Sequence, residues 1–119
     1  MSKAIEYSNW EDFLEEFSER NRDRRARFHI FRNGEMNEEE QEGHFQKASV
    51  EKNDNVSNVV ITRSYLDGEE EKTMTDTLEN IRGIAVQYEK DKSENILELT
   101  NSQNHLYSLR FESKIDGVS

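Results

Sequence analysis

Apolar and polar residues alternate with two periods along this chain, and the change comes at Arg25. In "YSNWEDFLEEFSERNR", Trp10, Phe13, Leu14 and Phe17 recur at i, i+3, i+4 and i+7 and form one apolar stripe. The spacing predicts a helix over about 9–22. Ser8, with Glu11 three residues on, reads as a capping box, each side chain satisfying an orphan amide at the helix start. Glu11 and Asp12 in the first turn, and Arg20 and Arg22 in the last, complement the helix dipole. Glu16 and Arg20 form a favourable i, i+4 pair.

From Arg25 the period is two. In "RARFHIF" Ala26, Phe28 and Ile30 point one way and Arg27, His29 and Phe31 the other, as in a half-buried strand. Asn33-Gly34 is the strongest short hairpin signal in the chain. The acidic run from Glu35 then leads into a strand near Gln41 to Val50. "NDN" at 53–55 is a turn. "VSNVVITRSYL" is a strand of mixed alternation, in which Val59, Val60 and Ile61 predict burial on both faces. Asp67-Gly68 is a second hairpin turn, followed by "KTMTDTL", a strand rich in threonine. "RGIAVQYEK" puts Ile84, Val86 and Tyr88 on one face. "ILELT", the turn "NSQN" and "HLYSLRFES" close the chain, with Tyr107, Leu109 and Phe111 alternating with polar residues.

This order predicts an α+β fold in a single domain over 1–119. One N-terminal helix packs on a six- or seven-stranded, mostly antiparallel sheet, curved or rolled into a small open barrel. The strands lie within about 25–113, and residues 1–7 and 114–119 fray. At 119 residues the chain suits one domain with a modest core. Composition removes several functions. With no cysteine there is no disulfide, thiolate zinc site or cysteine nucleophile, and the chain suits a reducing, cytoplasmic setting. No run approaches the length of a signal peptide or membrane helix. Asn55-Val56-Ser57 is then a chance glycosylation triplet. A formal net charge of -10 repels free nucleic acid and anionic membrane at long range.

Against that acidity, "ERNRDRRARFHIFR" at 19–32 holds six arginines. One reading is a phosphate grip using Arg22, Arg24, Arg25 and Arg27, with Phe28, His29 and Phe31 available for stacking. The other splits the run between a helix end and the polar face of a strand. There the hairpin brings Glu35, Glu38, Glu39, Glu40 and Glu42 alongside, each opposite-charge pair contributing about 0.2–1 kcal/mol. The second reading is favoured. On it the candidate interaction surface is Arg25, Arg27, Phe31 and Leu106, and the partner is a protein or a second copy of the chain. Helix-in-groove recognition by Trp10, Phe13 and Phe17 is weighed against packing on the chain's own sheet, and packing is preferred.

Catalytic and metal chemistry find little support. His29, His44 and His105 all fall on predicted strands but lack zinc-motif spacing. The glutamate runs are solvated turns, and the acidic stretch 67–79 lacks the alternating ligands and central glycine of a calcium loop. No nucleophile elbow, phosphate loop, dinucleotide fingerprint or H-E-x-x-H occurs. The reading is therefore no enzyme, no catalytic, cofactor or metal residues, and no bound cofactor. A small hydrolase or metal-binding protein is the least favoured alternative.

The helix residues Trp10, Phe13 and Phe17, with Leu97, Leu99, Leu109, Arg110 and Phe111 near the end, resemble a small prokaryotic domain family of unknown function. Its members have a W-x-x-F-x-x-x-F helix feeding an antiparallel sheet. Where members have a glycine in the last turn, this chain has Asn101 to Asn104. The resemblance implies one compact domain and supplies no activity or site residues.

Overall fold

The computed structural model describes residues 2–39 and 42–112. Its helix α1 spans Trp10–Asn21. Nine strands accompany it: β1 Ser2–Ile5, β2 Arg25–Arg32, β3 Glu35–Glu38, β4 Gly43–Asn53, β5 Val56–Asp67, β6 Glu70–Leu78, β7 Ile81–Tyr88, β8 Glu94–Asn101 and β9 Leu106–Phe111. They form one antiparallel sheet in the order β1-β7-β8-β9-β2-β4-β5-β6, with β3 paired to β2. The sheet does not close into a barrel: β1 and β6 stand at its two ends.

The α+β class and the helix over an antiparallel sheet match the pattern of the sequence; the strand count exceeds it. Both extra strands are short and exposed, so neither carries apolar alternation. One is β3, formed where the acidic run folds back beside β2, with Phe31 opposite Met36 and Arg32 opposite Glu35. The other is β1, inside the segment expected to fray. It is held by pairing with β7 and by the Trp10 indole, whose Nε1 donates to the Ile5 carbonyl at 2.9 Å. The segment 114–119 lies outside the described residues.

The hairpin between β2 and β3 turns on Asn33 and Gly34, both at positive φ (52° and 79°), as a type I′ turn requires. The capping box does not form. A 3-10 turn over Tyr7–Asn9 leads straight into α1, and neither it nor the cap residue Asn9 shows a side-chain cap bond. Ser8 sits inside that turn rather than at the helix boundary.

Trp10, Leu14 and Phe17 are buried, and Phe13 packs beside them. Burying each such side chain contributes about 1.5–3 kcal/mol. Phe17 meets Phe45 and Phe111 edge-on at ring distances of 5.7 and 5.5 Å. Ser18 stitches the helix to β4: the Ala48 amide donates to its hydroxyl, which donates on to the Leu14 carbonyl. The stripe is thus core. The rest of the core is the inward face of the sheet, from Phe28 and Leu109 through Leu97, Leu99, Ile84 and Val86 to Val59 and Ile61.

Candidate functional site

On β2 the inward residues are Ala26, Phe28 and Ile30, so Arg25, Arg27, His29 and Phe31 face outward. Register extends that face sideways. Phe31 lies opposite Leu106 of β9 and Met36 of β3; His29 opposite Ser108 and Glu38; Arg27 opposite Arg110. An apolar row, Met36–Phe31–Leu106, therefore crosses three adjacent strands at the hairpin end. Met36 is 55% exposed and Phe31 40%, while Leu106 is half-buried. Behind the row stands a charged ladder. Arg27 reaches Glu38 at 3.4 Å and Glu42 at 4.0 Å. Arg25 reaches Glu112 and, at 3.9 Å, Glu42. The four residues Arg25, Arg27, Phe31 and Leu106 thus share one sheet face, with Phe31 and Leu106 side by side and the two arginines further along β2. Met36 completes the row; an isolated methionine in an acidic run carries no strand signal.

The remaining arginines of the run are also engaged. Arg20 makes two hydrogen bonds to the Glu94 carboxylate, at 2.9 and 2.8 Å, which raise its pKa. Arg22 donates weakly to the Gln46 carbonyl at 3.4 Å. Arg24 donates to Asn21 Oδ1 and to the carbonyls of Glu94 and Glu112, and lies over the Phe111 ring. Burial lowers its pKa, against the pull of Glu89, Glu94 and Asp91. Arg32 lies at 6.0 Å over the Tyr107 ring. Of the hairpin carboxylates, Glu38 and Glu42 pair with the run and Glu39 goes elsewhere, while Glu40 lies outside the described residues.

Glu39 serves a second, buried site. On β5 the odd residues Ser57, Val59, Ile61 and Arg63 are the inward row, while Val60 is only half-buried. Burial is thus concentrated on one face, and the two-faced expectation for Val59, Val60 and Ile61 is corrected. Arg63 stands where that row calls for an apolar side chain, and it is 0% exposed. Its guanidinium takes Glu39 in a fork, at 2.6 and 2.9 Å, and Asp76 of β6 at 3.2 Å. It also donates to the Ala26 carbonyl and lies 4.8 Å over the Phe28 ring; among the described residues its Nε has no partner. Burial works against the charge, but the bonds and charges of Glu39 and Asp76 outweigh it and hold Arg63 above its usual pKa. Burial likewise works against the Glu39 carboxylate. The Arg63 fork, the Phe28 amide and the charges of Arg63 and Arg27 outweigh that and hold it below the usual carboxylate range.

Glycine makes room for this cluster. A Cβ at Gly43 would come within 2.6 Å of Met74 Cε and 3.0 Å of Arg63 Cβ. The Glu39 backbone amide donates to the Phe28 carbonyl at 2.9 Å while the Phe28 amide donates to Glu39 Oε1. Glu39 therefore pins the end of β3 to β2 and closes over Arg63. Beside the cluster lies a cavity of about 240 Å³, with Phe28, Ile30, Leu78 and Tyr107 as walls and Glu39 and Asp76 at its edge. The signal for Arg63 was present in the spacing: an arginine two residues beyond Val59-x-Ile61 falls on their face.

The histidines do not assemble. His29 sits 3.5 Å from Glu38, and His44 lies opposite Arg25. Among the described residues no group of three or more histidines and carboxylates is arranged to hold a metal ion, and no helix is long and apolar enough to cross a membrane. No family model, curated protein or solved structure matches the chain.

Proposed function

We propose that the chain is a non-enzymatic, cytoplasmic protein-interaction module that docks its partner on the outward face of β3, β2 and β9. The observation that carries this reading is the in-register row Met36–Phe31–Leu106 across three paired strands, with Met36 and Phe31 exposed and Leu106 half-buried, flanked by arginines. Aromatic, methionine and arginine side chains are the types enriched where proteins meet, and an anchor on a rigid sheet loses little side-chain entropy on binding. The charged ladder supplies the polar rim: Arg25 and Arg27 with Glu38, Glu42 and Glu112.

Affinity capture from lysate of the source cell tests it, with the wild type and Phe31→Glu run side by side, each with and without nuclease. The reading expects a nuclease-resistant partner that Phe31→Glu loses while its melting temperature stays at the wild-type value. Equal capture by both proteins would move the site off this face. Partners that vanish with nuclease would favour phosphate contact by Arg22, Arg24, Arg25 and Arg27.

A further inference from the structure

An edge strand offers a row of unpaired amides and carbonyls to any other strand, and proteins blunt such edges with shortness, bulges, proline or inward-pointing charge. β1 and β3 are blunted by length, at four residues each. β6 is not. It runs nine residues, pairs with β5 without a register shift, and has no strand on its other side among the described residues. Its charges are Glu70, Lys72 and Asp76 on its inward-facing side, with Met74 and Leu78, and Glu71 on the other side.

Two of these charges, Lys72 and Asp76, are placed so that a second β6 converts them into pairs. We propose that two copies of the chain associate through β6, antiparallel, about a two-fold axis passing Met74. In that register Lys72 lies opposite the second copy's Asp76 and Asp76 opposite its Lys72, on one face. On that same face Glu70 meets Leu78; on the other face Thr73 meets Thr75 and Glu71 meets Thr77. No like charges oppose each other. Opposite-charge and threonine pairs directly across an antiparallel ladder are the favourable kind.

Neighbouring registers are worse. Antiparallel ladder geometry requires opposed residues to have their backbone groups turned the same way, so the register slips two residues at a time. A two-fold axis at Thr73 puts Glu70 against Asp76. An axis at Lys72 puts lysine on lysine, and one at Asp76 puts aspartate on aspartate. An axis at Thr75 avoids repulsion but forms no charge pair and shortens the ladder. The same charges that deter a foreign strand therefore select the chain's own copy.

The monomer's electrostatics favour the same occupant. Glu39 and Asp76 both pair with Arg63, and on the inward side of β6 itself the two carboxylates Glu70 and Asp76 outnumber the one ammonium of Lys72. The side chain of Asp76 is 42% exposed. A lysine from the second copy is the group that balances it. Among the described residues Lys72 is held by an exposed contact to Asp67, at 2.9 Å. The surface is separate from the β3–β2–β9 face, so the two proposals stand or fall independently.

Sedimentation equilibrium over a concentration series, combined with register-specific cross-linking, tests this. The wild type should show a monomer–dimer equilibrium. Lys72→Asp, which sets aspartate against Asp76 twice, should weaken it by at least about tenfold while leaving the melting temperature of the dilute protein unchanged. Since the chain has no cysteine, Met74→Cys should give a disulfide-linked dimer under copper–phenanthroline, and Thr77→Cys, which faces Glu71, should not. A wild type that stays monomeric at millimolar concentration would overturn the proposal. So would a dimer indifferent to Lys72→Asp, or equal cross-linking at both cysteine positions.

Discussion

Two sets of arginine–carboxylate pairs meet at the β3 end of this molecule, where Glu38 serves one and Glu39 the other. Arg25 and Arg27 meet Glu38, Glu42 and Glu112 on the outward face, where their side chains are 44% and 33% exposed. Arg63 meets Glu39 and Asp76 with its own side chain wholly buried. The chemistry is the same; the surroundings differ. Exposed pairs are screened by water and salt and hold little. A buried guanidinium has lost its hydration, so each partner it keeps becomes indispensable. The outward arginines are therefore free to be traded for a partner's groups, and Arg63 is fixed in the scaffold. That scaffold has a local purpose. Glu39 ties the end of β3 to β2, and β3 supplies Met36 to the apolar row.

Breaking the buried set should have the largest effect. Glu39→Ala removes the fork and leaves Arg63 with Asp76 as its one carboxylate partner among the described residues, beside the Ala26 carbonyl; we expect a loss of about 3–5 kcal/mol, read from urea denaturation. A loss under about 1 kcal/mol would mean that water reaches Arg63.

Acid should expose the same group. The folded Glu39 carboxylate titrates below its unfolded value of about 4.3, so its stabilisation is complete above that value. It is lost as pH falls from there through the folded pKa, because the unfolded chain takes up the proton first. Wild-type stability should therefore decline across that acid window more steeply than that of Glu39→Gln. Parallel curves would remove Glu39 from the account.

The outward pairs sharpen the contrast from the other side. Arg27→Ala should cost no more than about 1 kcal/mol, and the loss should shrink when salt is raised, since its pairs are exposed. The smallest effect belongs to Ser8→Ala. With no cap bond to lose, its unfolding midpoint should match the wild type within about 0.5 kcal/mol; a loss near 1 kcal/mol would restore the capping box.

These sites differ in how far the sequence showed them. The face of Phe31 and Leu106 was legible, because a period-two strand and an Asn-Gly turn determine which side chains point outward. The helix stripe was legible for a similar reason: its four apolar residues recur at helical spacing, although the same face ends in the buried polar residues Ser18 and Asn21. β1 was not, since Ser2–Ile5 gains its structure from β7 and from the Trp10 indole, and both lie elsewhere in the chain. Arg63 was legible as a position on the Val59–Ile61 face but not as a buried charge. Charge in a strand is assigned to the solvent face, and the carboxylates that overturn that assignment come from a turn and from another strand. Ser8 and Glu11 had the spacing of a capping box, but a preceding 3-10 turn displaced the helix start, which local spacing does not encode.

The most direct test of the division between these arginines is a pair of double-mutant cycles in one buffer, Arg63→Met with Glu39→Gln and Arg27→Ala with Glu38→Ala. The account predicts a coupling of about 2–3 kcal/mol for the buried pair and about 0.2–1 kcal/mol for the exposed one. A buried coupling no larger than the exposed one would contradict it.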